Sequence, residues 1–330
     1  MTRLRRTSAD QVGWTRRRSG RGFRYLDADG ASVPGRERDR IQQLAIPPAW
    51  EEVWICPYPN GHLQAVGTDQ AGRRQYLYHP AWREQRDAEK YLRAAELGRR
   101  LGRTRTRVGR DLNADGVSLE RACATAFRLL DLGCLRVGND IYADEYGSFG
   151  LTTLERRHLR RRGKKMLFDF AGKSGVEHHL EIDDPEAVEA LSVMRRRRTD
   201  DPSLLAFRDG RRWRALNSTL VNAYIAEVTG LGVSAKDFRT WHASVVAASS
   251  LAMSGVQTAA ARRRRAIRQA MEDAAALLGN TPTQARTSYV DPRLIDLYEE
   301  GSTMDARLAA RAAGEAISRP AELAVLRLLG

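Results

Sequence analysis

The sequence predicts an α+β protein: a small, strand-rich N-terminal domain over residues 1–80, then a larger, mainly α-helical domain over residues 81–330 that carries one β-hairpin. Three observations lead there. The chain has 330 residues, enough for two domains that each bury a core. Short β-type runs separated by Gly, Pro and Asn fill the stretch from about Gly22 to Tyr78. Beyond about Pro80, apolar residues recur mostly at the helical period.

The opening stretch Met1–Arg24, rich in Arg, Ser and Gly, has the composition of a loose segment. Phe23-Arg-Tyr-Leu26 running into Asp-Ala-Asp-Gly30 reads as a strand entering a turn, and Ile46-Pro-Pro-Ala-Trp50 separates it from a second β-type run, Val53-Trp-Ile-Cys56. Leu63-Gln-Ala-Val66 and Gln75-Tyr-Leu-Tyr78 flank a polar turn from Gly67 to Gly72 and form a hairpin. Leu119, Ala122, Cys123, Ala126, Phe127 and Leu130 follow a helical stripe that Gly133 stops. Met166, Phe168 and Phe170 alternate, Gly172-Lys-Ser-Gly175 turns, and Val176, His178, Leu180 and Ile182 alternate again, which makes the hairpin of the second domain. Helices are expected from Asp184, around Ala215–Val228, over Asp237–Ser254 and from Thr258 to Leu278, where Gly279 ends the run. Thr281 as cap and Pro282 at the first helical position start another, with Tyr289 about two turns in. There is no internal repeat, and an Ala-rich helical tail follows Gly301.

Lys and Arg number 55 against 41 Asp and Glu, a net charge of +14. Clusters at Arg156-Arg157, Arg160 to Arg162, Lys164-Lys165, Arg195 to Arg198 and Arg262 to Arg265 carry much of it. One such cluster is more often a solvated face than a binding surface, but together they form the electrostatic footprint of a nucleic-acid partner. No apolar run is long enough to span a membrane. The early arginines have no apolar stretch behind them, so a signal peptide is not expected, and the protein reads as cytoplasmic and nucleoid-associated. Cys56, Cys123 and Cys134 lie too far apart for a disulfide scaffold or a Cys-type zinc site.

Only five basic residues are lysine (Lys90, Lys164, Lys165, Lys173 and Lys236). In a chain that uses arginine almost everywhere, a retained lysine is a candidate for a role arginine cannot fill, such as proton release. Walker, dinucleotide-binding, zinc and Gly-x-Ser-x-Gly patterns are all missing, which disfavours metal or activated-serine hydrolysis. The six histidines form no metal set; His178 and His179 point to opposite faces of a strand and read as structural or incidental.

A set of cationic and amide residues stands out. Arg136 follows a helix stop, Lys173 sits at a hairpin tip and Arg239 opens a helix in Lys-Asp-Phe-Arg-Thr. Asn280 lies between two helices and Tyr289 follows nine residues later. All five occupy loops or element ends, where side chains can converge on a ligand.

In this order and local context these residues resemble the active site of type IB DNA topoisomerases of the poxvirus-like and bacterial branch. Gly72-Arg-Arg-Gln-Tyr-Leu-Tyr78, Arg136-Val-Gly-Asn139, Gly172-Lys-Ser-Gly175, Lys236-Asp-Phe-Arg-Thr240 and Gly279-Asn-Thr-Pro282 through Tyr289 carry the resemblance, which covers most of the chain. It implies a tyrosine recombinase/topoisomerase IB-like catalytic fold and relaxation of supercoiled DNA through a 3′-phosphotyrosyl intermediate. Tyr289 would be the nucleophile, Arg136 and Arg239 the transition-state forks, and Lys173 the general acid. Asn280 would be a hydrogen-bond donor where the family more often has histidine. The resemblance further implies DNA contacts by Gln75, Tyr76, Tyr78, Tyr142 and Lys236, with Asn139 where some members carry lysine. It implies a monomer closing as a two-lobed clamp on double-stranded DNA, with no metal, no cofactor and no ATP. The rival readings are a tyrosine recombinase or integrase, and a non-catalytic DNA-binding protein. Recombinases usually carry His-x-x-Arg at the second arginine, where this chain has Lys236 three residues before Arg239.

Overall fold

The computed structural model describes residues 3–138, 147–309 and 317–330. Two compact units divide it, Met1–Glu89 and Lys90–Gly330.

The first unit is built on an antiparallel sheet of β1 (Trp14–Ser19), β2 (Gly22–Leu26), β3 (Glu51–Ile55), β4 (Leu63–Thr68) and β5 (Arg74–Tyr78), in the order β2-β1-β3-β4-β5. Helix α1 (Gly35–Gln43) adds Ile41 to a core of Val33, Ile46, Val53, Ile55 and Ala65. Two expectations need correction. The opening segment is not loose, because Trp14–Ser19 pairs with both β2 and β3. Its alternation is hidden by an arginine on the half-buried face: Arg16 donates to the carbonyls of Ile46 (3.1 Å), Pro47 (3.0 Å) and Trp50 (2.6 Å), so a charged residue takes a position where an apolar one would have signalled a strand. Helix α1 was not expected either; its single buried apolar residue is too faint a stripe to read.

In the second unit, α2 (Pro80–Leu112), within which the division falls, and α3 (Leu119–Gly133) precede the antiparallel sheet β6 (Leu159–Arg162), β7 (Lys165–Ala171) and β8 (Glu177–Ile182). Then follow α4 (Pro185–Arg196), the two-stranded ribbon β9 (Ala206–Asp209) and β10 (Arg212–Ala215), α5 (Ser218–Thr229), α6 (Ala235–Ser254), α7 (Ala260–Leu278), α8 (Pro282–Ser288), α9 (Pro292–Glu299) and α10 (Arg319–Leu329). The hairpin expected around Lys173 is the β7–β8 pair, with β6 as an unexpected third strand. The expected helix at Ala215–Val228 starts later: Ala215 ends β10 and Asn217 caps α5. Of the tail, Ala306–Leu308 is a single 3₁₀ turn and helix resumes at Arg319.

Helix α6 is the central beam. Sixteen of its twenty residues are buried, so it is covered on all sides, as expected of an interior helix. Against α2 the fit is close: a Cβ on Gly98 would stand 2.4 Å from the Trp241 ring. On the other side α6 packs with α7 through Ala243, Ala247, Leu251, Ala270 and Ala274. Small residues let the two backbones come near, and that fixes where the ends of α6 and α7 fall.

Candidate active site

Tyr289 is the C-terminal cap of α8, a helix begun as expected by Thr281, whose hydroxyl accepts from the Gln284 N–H at 3.2 Å, and by Pro282. The backbone after it is tied to the beam. The Asp291 N–H donates to the buried Ser244 Oγ of α6 at 3.0 Å, and that hydroxyl donates to the Thr240 carbonyl at 2.9 Å. Val290 between them is fully buried. The tyrosine ring itself is half-buried, with its backbone anchored on both sides.

Arg239, on the second turn of α6, is 3% exposed. It donates Nη1 to the carbonyl of Cys134 and Nη2 to that of Leu278 at 2.9 Å. These carbonyls belong to the C-terminal ends of α3 and α7, where backbone oxygens lack intrahelical partners and the helix dipoles favour positive charge. Cys134, rather than Gly133, is the cap of α3 and adopts the left-handed conformation at φ 49°. The guanidinium carbon of Arg239 lies 5.2 Å from the centre of the Tyr289 ring.

Arg136 leaves the end of α3 on the same side and donates Nη2 to Asn280 Oδ1 at 2.5 Å. That bond fixes the amide so that its Nδ2 points elsewhere. Of the buried polar atoms without a partner among the described residues, two belong here: Asn280 Nδ2 and Arg239 Nε. Buried donors left unpaired cost about 1–3 kcal/mol each, so a site that keeps two of them beside two guanidinium groups is prepared for an anion carrying acceptor oxygens.

Burial pushes the Tyr289 phenol up, but Arg239, by charge and by hydrogen bonding, and then Arg136 and Lys236 outweigh it, holding the phenol below its ordinary pKa. Burial and Arg239 lower Arg136 in turn, against the pull of Tyr289. Lys236 is exposed on the first turn of α6.

Lys173 is exposed on the short 3₁₀ turn joining β7 to β8, without a hydrogen bond or ion pair among the described residues. Thus Arg136, Arg239, Asn280 and Tyr289 form one connected cluster, and Lys173 stands apart from them as a side chain. The hairpin behind it reaches the cluster through a residue set aside in the sequence, His178. A Cβ on Gly172 would stand 2.6 Å from the His178 ring and one on Gly279 would stand 2.7 Å from it. Alternation put His178 on the inward face of β8; the two glycines that receive it could not be matched to it before the fold was known.

In the first unit, Tyr76 and Tyr78 lie exposed on one face of β5 with rings stacked at 6.2 Å and 16°. Gln75 faces the other side and its amide donates to Asp69 Oδ2 at 2.8 Å. Tyr142 and Asn139 lie outside the described residues. Among the described residues no group of three or more His, Cys, Asp or Glu side chains could hold a metal ion, and no helix is long and apolar enough to cross a membrane.

A half-buried tyrosine beside an arginine and two unpaired donors is an arrangement suited to receiving a phosphate-like anion. Residues 79–308 match the family described as eukaryotic DNA topoisomerase I, catalytic core, and residues 22–69 match the bacterial DNA topoisomerase IB N-terminal domain. DNA topoisomerase 1B of Acanthamoeba polyphaga mimivirus is 27% identical over 295 residues, covering 87% of this chain and 88% of the viral one. DNA topoisomerase I of Monkeypox virus is 20% identical over 259 residues, 78% of this chain and 77% of its own. DNA topoisomerase 1 of Schizosaccharomyces pombe is 29% identical over 169 residues, 51% of this chain but 20% of that protein. The chain belongs to the type IB DNA topoisomerases, in their poxvirus-like and bacterial branch.

Proposed function

We propose that the protein relaxes supercoiled duplex DNA by cutting and resealing one strand through Tyr289, acting as a monomer in the cytoplasm on nucleoid DNA. The observation that carries this reading is the Tyr289 ring 5.2 Å from the Arg239 guanidinium, with its phenol pKa held down by Arg239, Arg136 and Lys236. The tyrosine oxygen, its proton given up to water, attacks a backbone phosphorus. The bond from phosphorus to the 5′-oxygen breaks, leaving a 3′-phosphotyrosyl ester, and Lys173 supplies the proton for the departing 5′-hydroxyl. Arg136 and Arg239 offset the charge that builds on the non-bridging oxygens, and the free Nδ2–H of Asn280 donates to one of them. While the ester holds, the cut strand turns about its partner; resealing is the reverse reaction. One ester is exchanged for another of similar energy, so ATP is not needed, and the guanidinium and ammonium groups supply the positive charge that a metal would bring.

On this reading residues 1–80 hold the duplex through Tyr76 and Tyr78, with Gln75 as a further contact, while Lys236 and Tyr142 add contacts from the catalytic domain. The fold of that domain is read as the tyrosine recombinase/topoisomerase IB one. The test is supercoiled plasmid incubated with the protein in EDTA without ATP. Relaxed topoisomers are expected from the wild type and none from Tyr289→Phe. An unrelaxed plasmid with the wild type overturns the reading, and exchange of strands between separate sites would move it to a recombinase.

A further inference from the structure

We propose that His178 is a positioning residue for Lys173: its ring is the wedge that sets the hairpin tip against the loop carrying Asn280. The inference deepens the proposed function and rests on its assignment of Lys173 as general acid.

The β7–β8 ladder sets the register as far as Ala171 and Glu177, and the Phe149 N–H bonds the Ala171 carbonyl at 2.9 Å, but these bonds stop short of the tip. Lys173 is exposed, and the tip closes on itself through the Gly172 N–H to the Val176 carbonyl at 2.8 Å and the Gly175 N–H to the Gly172 carbonyl at 3.1 Å. What faces the cluster is the His178 ring. It stacks on Phe170 of the neighbouring strand, centroids 5.0 Å apart and planes within 11°. From that stack it fills the space at two glycines, one immediately before Lys173 and one immediately before Asn280. Any side chain at Gly172 or Gly279 would occupy the volume of the ring. Two residues on, Leu180 makes the same kind of contact with Gly133, where a Cβ would stand 2.5 Å from its methyl group, three residues before Arg136. Strand β8 therefore presses at two points on the backbone that carries the site.

Fit, rather than charge, is what the ring contributes. Among the described residues its nitrogens make no hydrogen bond, and burial followed by the charges of Arg136 and Arg239 keeps the imidazole neutral. A neutral ring adds no repulsion between the cationic tip and the two arginines. An error of about 1 Å in placing a catalytic group can cost on the order of 100-fold in rate, so a rigid spacer behind an exposed lysine has a kinetic consequence.

The test compares single-turnover strand cleavage on ordinary DNA with cleavage of DNA whose bridging 5′-oxygen is replaced by sulfur. A thiol has a pKa of about 8.5, far below an alcohol, so the sulfur leaves without a general acid. His178→Ala should cleave ordinary DNA roughly 10- to 100-fold more slowly and recover most of that loss on the sulfur substrate, with DNA affinity unchanged. His178→Phe, which keeps the stacked ring, should restore most of the rate on ordinary DNA. Gly172→Ala, which displaces the ring by its own Cβ, should show the same selective defect if His178→Ala fails to fold. An equal loss on both substrates, a His178→Phe as slow as the alanine variant, or a His178→Ala as fast as wild type overturns the proposal. If Lys173→Ala itself is not rescued by sulfur, the general-acid assignment is what fails. The double variant then decides: no slower than Lys173→Ala alone supports action through Lys173, and a further slowing overturns it.

Discussion

The guanidinium of Arg239 lies 5.2 Å from the ring centre of Tyr289 while its two terminal nitrogens bond the carbonyls of Cys134 and Leu278. One side chain thus joins the ends of α3 and α7 and sets the charge beside the phenol. A lysine could reach one of these partners but cannot fork to two, and it lacks the flat face over the ring. Arg239→Lys should therefore lower the cleavage rate by roughly 100-fold, a barrier of about 3 kcal/mol, in the range of a lost oxyanion donor. The check is single-turnover formation of the covalent complex, with the melting temperature measured alongside. A rate within a few-fold of wild type would show that charge alone suffices.

Tyr289 should be the only residue whose loss abolishes covalent capture of DNA while leaving affinity nearly intact, and the Phe variant checks this by denaturing gel and by equilibrium binding. Its pH dependence has a definite sign. The phenol sits below its ordinary pKa because three cations outweigh burial, so cleavage should rise with pH and level off below the value of about 10 for a free tyrosine. Lys236→Ala removes one of the three cations and should move that inflection upward. An inflection unmoved by Lys236→Ala would detach the lysine from the nucleophile.

Much of this was legible before the fold was known, and the reasons are physical. The β7–β8 hairpin declares itself by strict alternation, and Thr281-Pro282 by capping chemistry that depends only on local backbone. Strand β1 was hidden because Arg16 satisfies three carbonyls from an inward position that the pattern assigns to an apolar residue. The candidate residues could be picked out one by one, but not their partners. Arg136 and Asn280 are separated by 144 positions, and nothing in either segment signals that one fixes the other's amide. The close approach of the His178 ring to Gly172 and Gly279 and the bond from the Asp291 N–H to Ser244 are likewise tertiary facts.

Asn280 offers a donor and no proton. Asn280→Ala removes the Nδ2–H and leaves Arg136 Nη2 without its acceptor, so cleavage should fall by roughly 10- to 100-fold with little change in affinity. Asn280→Asp keeps the acceptor but sets a carboxylate where an anion must come, and should be the worse of the two. Asn280→His should bring in a new inflection at about pH 6–7, which the wild type lacks at this position. Profiles of rate against pH for the three variants check all of this, and an alanine variant at wild-type speed would remove Asn280 from the chemistry.

Ser244 holds the segment that follows Tyr289 through the Asp291 N–H. Its hydroxyl takes the Asp291 N–H at 3.0 Å in a position that is 2% exposed. Ser244→Ala leaves that backbone donor buried without a partner, a loss of roughly 1–3 kcal/mol of stability. The same freedom should spread the Tyr289 positions and slow cleavage, while the measured inflection of its phenol stays in place. Urea unfolding and single-turnover rates measure the two effects separately; an unchanged stability would mean that another group takes over the bond.

Behind α6 lies a buried charge cluster that should set the acid limit of the fold. Arg105 donates to Asp131 at 2.7 and 2.9 Å and to Glu322 of α10 at 2.8 Å through each of two nitrogens, and His242 stands 3.2 Å from Asp131. Burial raises the Asp131 pKa, but its bonds to Arg105 and His242 win and hold it well below the ordinary carboxylate range. A carboxyl whose pKa is depressed by folding contributes stability above its unfolded value of about 3.9 and loses it as pH falls from there towards the folded value. Arg105→Met takes the cation from the buried Asp131 carboxylate, leaving it His242 at 3.2 Å, while Glu322 keeps Arg319 at 3.0 Å, and should cost roughly 3–5 kcal/mol at neutral pH. On acidification the Asp131 carboxylate of the variant takes up a proton and the penalty shrinks, so the gap between wild type and variant should narrow between about pH 7 and pH 3. Urea midpoints measured at both values decide it: a gap that stays constant would mean that Arg105 acts by packing and not by charge.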